Sequence, residues 1–181
     1  MSNNLILPPL SQVIDHEGKG NFAVSKYYTW PFRYFYCKKL GMIMDMLDEG
    51  RVYKSTLDFG AGAARIMERT LKTRTWKYTA IDLDDAQPIE KFDLIVCGSV
   101  LEFVDIDDTL KYFKKHLLQG GQIIGSSPMK SILSSIYFTL VNDNMTRHSH
   151  KSIMESLEKH FYIVHKREWM GLYFSFKATL K

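Results

Sequence analysis

The stretch Ser55-Thr56-Leu57-Asp58-Phe59-Gly60-Ala61-Gly62-Ala63-Ala64-Arg65 constrains this chain more than any other. It reads as the end of a buried strand, a turn through two glycines, and a helix that starts near Ala64. Lacking a Cβ, Gly60 and Gly62 let the backbone turn tightly and let a ligand come close. A helix beginning there would aim its unpaired N–H groups at that ligand. Asp58 stands at the strand's end, two residues before the first glycine. Alone, the pattern marks a nucleotide-cofactor loop of unspecified type.

The rest of the chain alternates strand and helix. Residues 76–82 and 92–97 are β-branched or aromatic runs, and 122–126 is a short apolar one, so all three read as strands. Asp105 to Asp108 can cap a helix with Leu110, Phe113 and Leu117 on its inward face, ended by Gly120-Gly121. A helix over 152–160 precedes two strands, 162–165 and 173–179, with no helix between them, so one of these is antiparallel. The expected fold is α/β: a Rossmann-like, mostly parallel sheet with helices on both faces and an antiparallel last strand.

Two regions stand outside this alternation. Residues 1–25 form a polar, Gly-containing arm, and Lys26-Tyr27-Tyr28-Thr29-Trp30-Pro31-Phe32-Arg33-Tyr34-Phe35-Tyr36 is unusually aromatic. Pro31 suits the first turn of a helix running through Leu40, Ile43, Met44 and Leu47, with Gly50 as its stop. Its aromatics read as core packing, as a lid over a pocket, or as a surface that docks on an apolar substrate or a membrane. Lys130 to Lys151 reads as a mobile, polar insertion.

At 181 residues the chain suits one domain. Its expected parts are an N-terminal arm and helix (1–50), a cofactor-binding half (51–127), a substrate-side insertion (128–151), and a closing helix and strand pair (152–181). The net charge of +4 is scattered, not the basic stripe of a nucleic-acid reader, so nucleic acid is not the expected partner. Cys37 and Cys97 give no disulfide framework and suit a reducing compartment. Met1 to Leu10 has no signal-peptide pattern, and no apolar run has transmembrane length. A cytoplasmic location is expected, with contact at a membrane surface left open. Nothing in the sequence sets the oligomeric state.

Charge then narrows the cofactor. Asp82 lies 82 − 62 = 20 residues past Gly62, where a dinucleotide site also places its ribose-binding acid. Two details argue against NAD. Arg65 stands where a Gly-x-Gly-x-x-Gly turn needs a small residue, and Asp58 would repel a pyrophosphate. S-adenosylmethionine has no phosphate, a cationic sulfonium, and an α-ammonium group that a carboxylate attracts. An NAD-dependent oxidoreductase is the lower alternative.

Leu57-Asp58-Phe59-Gly60-Ala61-Gly62-Ala63-Ala64 resembles the first motif of the class I S-adenosylmethionine-dependent methyltransferases, with Ala64 in place of the last glycine. Tyr78-Thr79-Ala80-Ile81-Asp82 resembles their second motif, and residues 92–104 their fourth-strand motif. Leu117-Leu118-Gln119-Gly120-Gly121-Gln122-Ile123-Ile124 is similar to the segment leading into strand five in the small-molecule, type 11-like branch. The resemblance covers about 55–127 and, loosely, the closing strands. It implies that S-adenosyl-L-methionine is held by Asp58, Gly60, Ala61, Gly62, Asp82, Leu83, Cys97, Gly98 and Ser99. Only nine residues separate Asp82 from Phe92, too few for the family's usual helix and third strand, so that strand is expected to be missing.

The remaining candidates are on the substrate side. Tyr27, Tyr28 and Trp30 could close over the site, and His148 and His150 are the candidate bases. No third ligand stands near the two histidines, so a metal is not expected. Glu102 faces the substrate or caps the following turn. No Asn/Asp-Pro-Pro-Tyr/Phe and no Pro-Cys follows the fourth motif strand, which points to a small or lipid-like acceptor. The alternative is a degenerate cofactor-binding or partner subunit without its own catalysis.

Overall fold

The strand β1 (Tyr53–Phe59) is buried from Thr56 to Phe59, and a strand so enclosed needs neighbours on both edges and cover on both faces. The computed structural model, which describes residues 5–11, 26–62, 65–140 and 148–181, supplies them. β2 (Thr75–Ile81) and β3 (Phe92–Gly98) flank β1 in parallel. β4 (Leu117–Pro128) lies parallel to β3, β5 (Phe161–Trp169) forms the far edge, and β6 (Tyr173–Leu180) is antiparallel to both. The described residues thus form a six-stranded sheet in the order β2-β1-β3-β4-β6-β5. The Rossmann-like expectation holds, antiparallel last strand included.

Residues 82–91 form no strand, so β2 is an edge. The short connection gives the physical reason: it spans the sheet edge as turn and extended chain and has no length left to pair.

Among the described residues the helices are α1 (Phe32–Met44), α2 (Glu68–Lys72), α3 (Ile106–His116), α4 (Ile132–Leu140) and α5 (His150–His160). On one face Leu94, Val96 and Ile124 of the sheet meet Leu40, Ile43 and Met44 of α1 and Leu71 of α2. On the other, Leu57, Phe59, Ile95 and Ile123 meet Leu110 and Phe113 of α3 and Ile153 and Leu157 of α5. Because β-strand side chains alternate, adjacent residues of β1 and β3 serve opposite cores.

α3 forms where the capping residues put it. Asp105 is extended and its carboxylate accepts from the Asp108 N–H at 3.0 Å, while acids fill the first turn and Lys114, Lys115 and His116 the last. Both arrangements favour the helix dipole.

Three expectations need correction. The helix placed near Ala64 begins at Glu68 and has five residues. Arg65 takes a left-handed φ of 44°, which interrupts helical hydrogen bonding, and successive turns run from Gly62 through Arg65 to Glu68. Gly120-Gly121 does not end α3: Leu117 is already extended and pairs with Phe92, and the two glycines sit inside β4 beside a register shift. The region 130–151 is not simply polar, because α4 occupies 132–140. Residues 141–147 lie outside the described residues.

Candidate functional site

β2, β1 and β3 all end at one edge of the sheet, with Phe59 level with Ile81 and Asp58 level with Val96. The connections from β1 go to β2 on one side and, later, β3 on the other, so this edge is a topological switch point. Ligands of open α/β sheets bind at the carboxyl ends of strands at such points.

The glycine turn is fastened to β2. The Ile81 carbonyl accepts from the N–H groups of Gly60 (2.9 Å) and Ala61 (3.0 Å), so these donors are turned to the protein. Gly60 has φ +71°, and a Cβ there would lie 2.3 Å from Val100 Cγ2. Gly62 has φ +66°, and a Cβ would meet no heavy atom of the described residues within 4 Å. Gly60 therefore serves a close approach by Val100, whereas Gly62 borders open space.

Asp58 is fully buried. Tyr78 donates its hydroxyl to Oδ2 at 2.7 Å, and Oδ1 has no hydrogen-bond partner among the described residues. Burial pushes the carboxyl up to about 7; the Tyr78 hydrogen bond pulls it down, Glu68 raises it and Arg65 lowers it. The Tyr78 hydroxyl is in turn pushed well up by burial and by Asp58. A buried carboxylate with one open oxygen is costly unless a donor or cation reaches it.

At the end of β3, Ser99 is held at φ +58°, its N–H donating to the Ser126 carbonyl at 2.8 Å. Left-handed non-glycine residues are uncommon and concentrate at functional sites. Ser99 Oγ is buried without a partner among the described residues, and so are the hydroxyls of Ser126 and Ser175, which are register neighbours across β4 and β6.

Asp82 and Leu83 follow β2 directly and are exposed. Asp82 Oδ1 accepts from the Leu83 N–H at 2.9 Å, and Asp82 N–H donates to Asp85 Oδ2 at 2.7 Å, which fixes the turn beside the glycine loop. Cys97 belongs to the core on the face covered by α3 and α5, and burial pushes its thiol well up. Gly98 faces Ile43 and Met67. Asp58, Gly60, Ala61, Gly62, Asp82, Leu83, Gly98 and Ser99 are thus brought to one edge, with the Cys97 side chain sealed beneath it.

The substrate-side candidates are elsewhere or engaged. Tyr28 donates to the Pro8 carbonyl at 2.6 Å, Tyr27 packs edge-on against Tyr36 at 5.0 Å, and Trp30 is 84% exposed. His150 opens α5 and its Nδ1 accepts from the Lys130 N–H at 3.1 Å, which leaves Nε2 as the nitrogen for any proton transfer. The N–H of His148 donates to the Glu102 carbonyl at 3.3 Å. Glu102, read from the sequence as a substrate contact or a turn cap, is fully buried and accepts from Ser127 Oγ at 2.9 Å, tying the end of β4 to the loop after β3. Among the described residues no group of three His, Cys, Asp or Glu is placed to hold a metal ion.

Sequence reasoning missed Tyr78, Val100, Ser126 and Ser175. Tyr78 had a signal: aligning the ends of β1 and β2 sets Thr56 opposite Tyr78, diagonal to Asp58 on the same face.

No family model matches the sequence, and no curated protein matches it. Solved structures do resemble its fold. The N-methyltransferase NodS from Bradyrhizobium japonicum WM9, in complex with S-adenosyl-L-homocysteine, is 15% identical, with a TM-score of 0.57 over 93% of this chain and 97% of that one. Magnesium protoporphyrin IX methyltransferase from Synechocystis PCC 6803, with the same compound bound, is 13% identical, with a TM-score of 0.55 over 93% and 91%. A geranyl diphosphate methyltransferase in complex with its diphosphate substrate and sinefungin is 12% identical, with a TM-score of 0.55 over 81% of this chain and 78% of that one. The chain has the fold of the class I S-adenosylmethionine-dependent methyltransferases.

Proposed function

We propose that this chain transfers the methyl group of S-adenosylmethionine to a small or lipid-like acceptor. One observation carries the reading: a fully buried Asp58 with one carboxylate oxygen unpartnered among the described residues, beside a glycine turn where a Cβ at Gly62 would meet none of their atoms within 4 Å. That oxygen suits an ammonium donor and disfavours a phosphate. The residues fit the cofactor in kind. Asp58 would pair with the α-ammonium group, Asp82 would bond the ribose hydroxyls, and Leu83 would pack against the adenine. Ser99 would offer its buried hydroxyl to the methionine end. Gly60 and Ala61 act differently: their N–H groups hold the loop on Ile81 and do not reach for the ligand.

When bound, the cofactor supplies an electrophilic methyl on a positively charged sulfur. The chain's own task is to set an acceptor lone pair in line with that methyl and to exclude water. Bound there, the acceptor would take the methyl carbon as the C–S bonding pair leaves with sulfur, and the chain's part would be to hold the two in line. An acceptor that carries a proton loses it to solvent or to a base such as His150 Nε2 or His148. Support for a small or lipid-like acceptor comes from the similar enzymes, whose substrates are an isoprenoid diphosphate and a porphyrin.

The test is calorimetric titration with S-adenosylhomocysteine and with NAD, followed by methyl-transfer assays on an acceptor panel. Saturable S-adenosylhomocysteine binding with turnover supports the proposal. Binding without turnover on any acceptor moves the assignment to a partner subunit, and NAD binding alone overturns both.

A further inference from the structure

α4 is built the wrong way round for a helix that faces water. Its inward positions hold Ser134 and Tyr137, while Ile132, Leu133 and Ile136 point outward, 84%, 46% and 55% exposed. An ordinary surface helix hides its aliphatic stripe. The stripe continues onto neighbouring elements. Ser131 Oγ donates to the Gly171 carbonyl at 2.7 Å, which sets the start of α4 beside the β5–β6 turn and the exposed Met170. Trp169, the last residue of β5, packs edge-on against Tyr34 with ring centroids 6.0 Å apart, and Tyr34 shares an open groove with Trp30, Arg33 and Lys38. Tyr34 is itself 60% exposed.

The charge displayed along these segments is basic. Arg33 and Lys130 are exposed and Lys38 half-exposed, Lys26 and Lys39 being buried, and residues 26–40, 128–140 and 169–173 contain no aspartate or glutamate. The nearest flanking acid in sequence, Glu168, is paired with Lys166 at 2.8 Å. Exposed aliphatic side chains, Trp and Tyr at their margin, and a cationic rim match the interface of an anionic bilayer. Aliphatic groups enter the acyl boundary, aromatic rings sit at the headgroups, and cations meet the phosphates. Arg33, Lys38 and Lys130 beside exposed Ile132, Ile136, Trp30 and Met170 favour an anionic, apolar partner, the two properties a bilayer of acidic lipids combines. No helix of the described residues is long and apolar enough to cross a membrane, so the contact is at the surface.

We infer that this face docks on the surface of an anionic phospholipid membrane. α4 follows β4 and the turn precedes β6, both at the sheet edge that holds Asp58 and Ser99. Docking would therefore bring the candidate site to the lipid surface. The inference rests on exposure and charge and does not depend on methyl transfer.

Co-sedimentation of the full chain with phosphatidylcholine vesicles, with and without phosphatidylglycerol, tests it. The wild type is expected to bind only the anionic vesicles, several-fold more weakly at high salt. Ile132→Ser with Ile136→Ser should weaken binding about tenfold or more, and Trp30→Ser alone several-fold. Arg33→Glu with Lys38→Glu should remove binding at roughly fivefold per cation lost. Trp30 and Ile132 are too exposed to support the core, so thermal unfolding should be unchanged, and Trp30→Ser serves if the double variant does not fold. No partition of the wild type, or partition unaffected by all three variants, overturns the inference. So does self-association that these variants abolish without any lipid binding, because the face then belongs to a second copy.

Discussion

The two ends of the sheet treat a carboxylate in opposite ways. At the amino end of β1, Asp48 accepts from Gln122 Nε2 (2.8 Å), from Arg51 (3.1 Å) and from Lys177, while Tyr53 donates to Gln122 Oε1 at 3.1 Å. Burial alone would raise this carboxyl, but the hydrogen bonds from Lys177, Gln122 and Arg51 outweigh it and hold it below its usual range. At the carboxyl ends of the strands, Asp58 has Tyr78 and an oxygen without a partner among the described residues, and burial wins. The first is a closed network that ties α1's exit to β4 and β6. The second is a polar group left poised at a stability cost, which is what a ligand site requires.

The largest effect should come from Gly60→Ala. A methyl there meets Val100 at 2.3 Å and the residue is held at φ +71°, so a loss of about 2–4 kcal/mol is expected, together with cofactor affinity. Chemical denaturation measures it, and Val100→Ala in the same chain should recover only part, since φ stays strained. Next, Asp48→Ala should cost about 1–3 kcal/mol by leaving the mostly buried Lys177 without its carboxylate, moderated by the partial exposure of Asp48. Ligand affinity should not change.

Asp58→Asn should do the reverse at pH 8, raising stability by about 1–2 kcal/mol. The native carboxyl titrates near 7, above its unfolded value, so the native state holds the extra proton between about pH 4 and 7. Wild-type stability should therefore fall as pH rises through that window, and thermal melts of Asp58→Asn should show a flatter profile. Asp48 contributes oppositely: its stabilisation is present above the unfolded carboxyl value and is lost as pH falls through its lowered one. The smallest effect is that of Tyr78→Phe. It removes a donor to Asp58 and should move the pH midpoint of ligand binding upward with a loss of affinity of about threefold. An unchanged midpoint would mean that Tyr78 does not tune Asp58.

Much of the frame was legible because it depends on local pattern. The nine-residue gap after Asp82 foretold the missing strand, and the apolar runs gave the sheet's members. Asp58 could be named from its place before the glycines. Its partner could not, since Tyr78 reaches it only through the parallel register of β1 and β2, a tertiary fact. The late start of α2 turns on a left-handed Arg65, which composition does not announce. Gly120-Gly121 misled because a helix stop and a strand irregularity draw on the same residue. The aromatic segment 26–36 offered packing and docking readings at once. The packing reading is met at Tyr36, which is buried; Trp30 is exposed, and docking there is the proposal made above.

The central claim is that Asp58 is an ammonium-binding carboxylate and not a structural one. Calorimetric titration of S-adenosylhomocysteine into wild type and Asp58→Asn across pH 6 to 8 tests it most directly. Wild-type affinity should fall several-fold as pH drops below about 7 and protonates the carboxyl. The Asn variant should bind at least about a hundredfold more weakly, without that pH dependence. Equal affinity in the two proteins, or a pH-independent wild type, would contradict the account.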